Sequence, residues 1–339
     1  MYKAPRGTAD VLPGEQKYWH YIESTARSLG HRYGYSRLDT PIFERTNLFV
    51  RGVGQGTDIV EKEMYSFEDK GGESLTLRPE GTAPVLRAYL EHGMTNLPQP
   101  VRLYYFSPAF RYERPQAGRF RQHKQFGVEN LGDSDPSVDA EIIHMAWQLM
   151  NDLGLKDLKL VLNSIGDANC RPSYLENLKI YYANHIEELC QDCRQRIERN
   201  PLRLLDCKQT RCSVLADGAP KTTHYLCQDC QDHWDKLIMY LEKLEMPFNL
   251  EHRLVRGLDY YTRTVFEIQP PEEGSQSTIC GGGRYDGLMR ELDGPDTPGI
   301  GFAVGLERMV LNLKRQNINV PEQDIVSAVI IHLGDAAKQ

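Results

Sequence analysis

No stretch of this 339-residue chain is apolar for long enough to cross a membrane as a helix. Uncharged runs such as Thr297 to Leu306 span ten residues, where a helical span needs about 18 or more. The first residues, Met1-Tyr2-Lys3-Ala4-Pro5-Arg6, lack the apolar centre of a secretion signal. Cysteine is too sparse, at eight residues, for a secreted disulfide scaffold. The thiols are therefore expected to be reduced and the protein cytoplasmic. Positive charge is not in excess: 40 lysines and arginines against 47 acidic residues give a net charge of −7. That argues against a general nucleic-acid binder and leaves room for a local basic groove. Walker-type phosphate loops, His-Glu-x-x-His and Gly-x-Ser-x-Gly do not occur. Gly52-Val53-Gly54-Gln55-Gly56 lacks the strand-to-helix context of a dinucleotide fingerprint. A bound nucleotide would need side chains to hold its phosphates. What is present, 40% hydrophobic and 26% charged residues, excludes disorder and suits roughly one to three globular domains.

Periodicity places the elements. Trp19, Ile22, Ala26 and Leu29 share one face of a helix over residues 16–33. Thr82-Ala83-Pro84 starts another, and Asp135-Pro136 caps a third that runs to Leu153. Residues 101–131 read as antiparallel strands joined by a polar loop. Leu158, Leu160 and Leu162 alternate as a further strand, and strands resume at Arg263 to Ile268. Between them, residues 171–248 carry two helical stripes and six cysteines. They read as a mainly helical insertion in an α+β domain comprising residues 1–170 and 249–323. Residues 324–339 begin with an apolar run, Ile325 to Ile331, that reads as the first strand of a further, truncated domain.

The richest segment is Phe110 to Glu129. Four arginines, a lysine and a histidine fall between Arg111 and Lys124, and arginine's planar fork suits phosphate oxygens. The alternation of Phe126 and Val128 sets Gln125, Gly127 and Glu129 on the opposite strand face. This segment resembles motif 2 of the class II aminoacyl-tRNA synthetases. Pro298 to Arg308 resembles their motif 3, and Tyr33 to Val60 their motif 1. Arg256-Gly257-Leu258-Asp259-Tyr260-Tyr261-Thr262, Gly282-Gly283-Arg284-Tyr285-Asp286-Gly287 and Leu77 to Thr82 resemble signatures of the histidyl-tRNA synthetases. The resemblance covers about residues 1–323, and 324–339 resemble the start of the family's anticodon-binding domain.

The resemblance implies a class II antiparallel sheet flanked by helices, a homodimer, and a two-step ligase. L-histidine would be activated by ATP, with Mg2+, to histidyl-adenylate and then passed to the 3′ end of its tRNA. Arg111 and Arg256 match the family's catalytic arginines. Arg119, Arg121, His123 and Arg308 match ATP-binding positions, with His123 standing where phenylalanine usually stacks on adenine. Glu80, Gly81, Thr82, Gln125, Glu129, Tyr260, Tyr261 and Tyr285 match the histidine site. Gln116 and Arg119 match positions beside the tRNA acceptor end. An alternative is a synthetase-like regulatory subunit of an ATP phosphoribosyltransferase, which would be expected to lose the Arg256 segment or ATP-binding arginines. Cys190-x-x-Cys193 and Cys227-x-x-Cys230 together suggest one structural zinc.

Overall fold

A computed structural model describes residues 2–271 and 278–322. The N-terminal helix is α1 (Gln16–Arg32), followed by β1 (Ser36–Arg37), β2 (Phe43–Arg45), α2 (Thr46–Val53), β3 (Tyr65–Glu68), β4 (Ser74–Leu77) and α3 (Thr82–Glu91). The long hairpin β5 (Val101–Phe110) and β6 (Gln122–Leu131) leads to α4 (Pro136–Asp152) and β7 (Lys159–Ser164). Four helices follow: α5 (Arg171–Ala183), α6 (Gln191–Arg199), α7 (Thr210–Asp217) and α8 (Gln228–Lys243). The chain then adds β8 (Asn249–Leu250), β9 (Thr262–Gln269), β10 (Cys280–Arg284), α9 (Leu288–Glu291), β11 (Gly299–Gly305) and α10 (Leu306–Arg315). The apolar run at 325–331 lies outside the described residues.

Eight strands form one sheet in the order β1-β5-β6-β11-β10-β9-β7-β8, and β2-β4-β3 form a second, smaller one. From β5 through β7 every pairing in the large sheet is antiparallel. The two-residue edge strands β1 and β8 pair in parallel, which the sequence reading did not include. Such short segments carry too little periodicity to be read.

One sheet face is dry. Phe126, Val128, Phe266, Phe302 and Val304 pack there with Ile22 of α1, Ile142 and Leu149 of α4 and Leu313 of α10. Trp234, Leu237 and Leu241 of α8 join the same core. The last helix of the 171–248 segment therefore packs against the sheet body, while Tyr174, Leu178, Tyr182, Leu204 and Leu205 build a separate cluster. Asp135 caps α4 as its sequence position predicts, accepting from the Ser137 N–H at 2.8 Å. One turn later Asp139, fully buried, pairs with the equally buried Arg284 of β10 and accepts from His233 of α8 at 3.1 Å. This ionic knot ties sheet, α4 and α8 together. The alternation that buries Phe126 and Val128 sends Gln125, Gly127 and Glu129 to the other face, where the site lies.

Candidate active site

A cleft of about 220 Å³ opens on that face. Its floor is built first by a backbone constraint. The Tyr105 ring of β5 lies across Gly127, its partner on β6, so closely that a methyl group there would collide with the ring. The room glycine leaves lets Tyr105 reach Glu129. That carboxylate receives three hydroxyls: Thr82 at 2.8 Å, Tyr105 at 3.2 Å, and Tyr285 in a short contact. Burial pushes the Glu129 carboxyl up to about 8, against the lowering effect of these donors. Beside it Glu80 accepts the N–H groups of Thr82 at 2.6 Å and Ala83 at 2.9 Å, capping α3. Burial raises Glu80 as well, the two N–H groups opposing it. Tyr260 and Tyr261 stack obliquely with centroids 4.8 Å apart, and Tyr260 meets Tyr285 edge-on at 5.8 Å. The side-chain amide oxygen of Gln125 is buried with no hydrogen-bond partner among the described residues.

Cations ring the other end. Arg111, Arg119, Arg256 and Arg308 all line the cleft. Arg111 is held by the Pro79 carbonyl at 2.8 Å. Arg308 is held by those of Gly118 at 2.9 Å and Thr278 at 2.6 Å. Arg256 pairs with Glu267, which also accepts from Thr278 at 2.6 Å. Burial works against the charge of Arg256, but Glu267 and Tyr261 outweigh it and leave it firmly protonated. Arg119 pairs with Glu113. His123 is pushed down to about 3, by burial first and then by Arg111 and Arg308, so it stays neutral.

The structure thus brings Glu80, Gly81, Thr82, Gln125, Tyr260, Tyr261, Tyr285, Arg111, Arg119, His123, Arg256 and Arg308 around one cleft, with Glu129 beneath. Arg121 is not among the lining residues. Its guanidinium lies 3.8 Å over the Tyr112 ring, and its Nε donates to the Glu113 carbonyl at 3.2 Å. Gln116 is exposed on a tight turn closed by Arg119 N–H to Gln116 carbonyl at 2.9 Å. The four cysteines expected to share a zinc are not together. Cys190 and Cys193 converge with Cys207 and Cys212, whereas Cys227 and Cys230 converge with Cys170 and Asp167. Spacing alone paired the two Cys-x-x-Cys units, but they start helices α6 and α8, which pack into different cores. Sequence reasoning also missed Tyr105, hidden in an apolar run, and Glu267. The latter had a signal, a lone acid inside Val265-Phe266-Glu267-Ile268.

Comparison with known proteins decides the family. The family model described as histidyl-tRNA synthetase matches residues 7–309. The chain belongs to the histidyl-tRNA synthetase family. A histidine–tRNA ligase of Dehalococcoides mccartyi is 58% identical over 337 residues, covering 99% of this chain and 81% of that protein. Among solved structures, apo histidyl-tRNA synthetase of S. aureus superposes with a TM-score of 0.78 at 43% identity, covering 100% of this chain and 80% of that one. An ATP phosphoribosyltransferase regulatory subunit/histidyl-tRNA synthetase from Bacillus halodurans gives 0.69 at 24% identity, with 92% and 83% covered. It shares the fold alone. As a histidyl-tRNA synthetase by family, the chain is a ligase of the aminoacyl-tRNA synthetase class, and use of ATP with Mg2+ goes with that class. No helix among the described residues is long and apolar enough to cross a membrane.

Proposed function

We propose that this cleft joins L-histidine to ATP and then hands the histidyl group to tRNA(His). The carrying observation is the division of one cleft into a floor of buried carboxyl groups and an arginine rim. The histidine imidazole sits over Glu129 and Tyr261, with Tyr260 and Tyr285 as side walls. Its ammonium meets Glu80, Thr82 and the unpartnered Gln125 oxygen, an acceptor otherwise costly to bury. A site whose polar groups need a polar ring rejects apolar analogues by about 10⁴ or more.

The histidine carboxylate oxygen then bonds to the α-phosphorus as the bond to the bridging oxygen breaks, and pyrophosphate departs with the electron pair. Charge building on the phosphoryl oxygens is met by Arg111 and Arg256, fixed in advance by the Pro79 carbonyl and by Glu267. Arg308 and Arg119 take the leaving pyrophosphate, and neutral His123 offers a planar face to adenine. ATP enters as its magnesium complex, the ion screening phosphate charge that the arginines leave. In the second step a terminal ribose hydroxyl of tRNA attacks the acyl carbon, the acyl–phosphate bond breaks, and AMP leaves with the hydroxyl proton taken up by its phosphate. Gln116 and Arg119, on the exposed turn, face the acceptor end. The regulatory alternative is disfavoured because Arg111, Arg119, Arg256 and Arg308 all face the cleft.

The protein works in the cytoplasm as a homodimer, with residues 1–170 and 249–323 as catalytic domain and 171–248 as insertion. An exposed apolar group on and beside the smaller sheet, Ile42, Phe43 and Phe67, each about 45% exposed, supports a partner there. Histidine-dependent exchange of labelled pyrophosphate into ATP tests the activity. Exchange with histidine alone among the amino acids is expected, and its absence would exclude adenylate formation.

A further inference from the structure

None of the eight cysteines lines the cleft, yet seven of them fall into two tight convergences. Both contain the same tetrapeptide, Cys-Gln-Asp-Cys, at 190–193 and 227–230. In each the first cysteine immediately precedes a helix and the second lies in its first turn. Cys190 and Cys193 meet Cys207 and Cys212, with all four sulfurs within 4.8 Å of one another. The Cys190 N–H donates to Cys212 Sγ at 3.2 Å, and the sulfurs of Cys190 and Cys207 are 3.9 Å apart. A tetrahedron with metal–sulfur bonds of about 2.3 Å has sulfur–sulfur edges of about 3.8 Å. A disulfide would need about 2.05 Å. The surroundings call for such a centre. Helices α6 and α7 have nine and eight residues, too short to persist alone. Apart from cysteine, α6 buries Ile197 only.

The second group is carried by different observations. Cys227 and Cys230 meet Cys170 and the Asp167 carboxylate. Asp167 Oδ1 lies 3.6 Å from Cys170 Sγ and 3.9 Å from Cys227 Sγ, while Oδ2 faces Arg263 at 3.4 Å. Three thiolates and a carboxylate around a divalent ion leave net negative charge. Two cations stand beside it: Arg263, against Asp167, and Arg171, which follows Cys170 and folds back onto the Ile165 and Gly166 carbonyls. The ligands join the segment entering α5 to the start of α8, the two ends of the small helical cluster.

We propose that this chain binds two structural zinc ions, one on Cys190, Cys193, Cys207 and Cys212 and one on Asp167, Cys170, Cys227 and Cys230. Both sites are closed four-ligand sets, one of four thiolates and one of three thiolates with a carboxylate, which suits zinc in a structural role. The first staples α6 to α7. The second pins residues 167–170 to α8, next to Arg171, which holds the Tyr261 carbonyl at 2.7 Å.

Elemental analysis of the chain purified without chelator should find two zinc ions and no iron per chain. Seven thiols should be protected from a thiol reagent until a strong chelator is added. Cobalt exchanged into the protein should show thiolate charge-transfer absorption. Cys212→Ser and Cys227→Ser should each hold one zinc. If either variant fails to fold, the wild-type zinc count and chelator-triggered thiol release still decide. A single zinc lost only in Cys212→Ser overturns the second site, and one lost only in Cys227→Ser overturns the first. One zinc lost in both variants overturns the division into two sites. Metal-free protein with reactive thiols, disulfides in the native chain, or bound iron overturns the proposal altogether.

Discussion

Glu129 is a carboxyl group with three hydroxyl partners and, among the described residues, no ion-pair partner, and its behaviour with pH follows from that. Its value rises from the usual 4.5 to about 8 in the folded protein, chiefly through burial. Below 4.5 folded and unfolded states both hold the proton. From about 4.5 to about 8 the unfolded chain releases this proton while the folded state keeps it, so stability falls across that window and levels off once the folded carboxyl has ionised as well. Glu129→Gln has no proton to lose, so its melting temperature should decline less than wild type between pH 6 and pH 8. Parallel decline of the two curves would show that Glu129 is already ionised at neutral pH. The same variant should raise KM for histidine, costing about 1–3 kcal/mol of binding, and leave KM for ATP nearly unchanged. Arg256 is the complementary case, a cation preset by Glu267. Arg256→Ala should slow pyrophosphate exchange by about 10²–10³, and its denaturation midpoint should fall because Glu267 loses its partner, so exchange is compared under conditions where both proteins are folded. Near wild-type exchange would remove Arg256 from the chemistry. Both residues were reachable from sequence through the family resemblance. Tyr105, which supports Glu129, was not, because a tyrosine between apolar neighbours reads as core.

At the scale of elements, strands and helices with strong periodicity were legible and short ones were not. Helix α1 and the β5–β6 hairpin match their apolar patterns. The face of β6 that carries Gln125 and Glu129 follows from burying Phe126 and Val128. The parallel edges β1 and β8 and the partners of the two Cys-x-x-Cys units were not legible, since both depend on which elements meet in space. The knot of Asp139, Arg284 and His233 is another tertiary feature. Arg284 stood in a recognised signature, but its task is to bind α4 to β10. Removing one partner leaves an uncompensated buried charge, so Asp139→Ala should cost about 3–5 kcal/mol by urea unfolding. A loss under 1 kcal/mol would show that water reaches Arg284.

For the whole molecule, the small sheet presents Phe43 and Phe67 in an edge-on pair with centroids 6.4 Å apart, both largely exposed. Light scattering should give about twice the 38.8 kDa chain mass, and the double variant Phe43→Asp with Phe67→Asp should shift it toward the monomer. A wild-type monomer at micromolar concentration would contradict the homodimer. On the proposed function, one cleft would hold the imidazole on its carboxyl floor and the α-phosphate on its arginine rim. A crystal structure with a non-hydrolysable histidyl-adenylate analogue tests this most directly. The imidazole should lie within hydrogen-bonding distance of Glu129 and Tyr261, with the phosphate mimic against Arg111 and Arg256. An analogue bound in the opposite sense, or outside the cleft, would contradict the account.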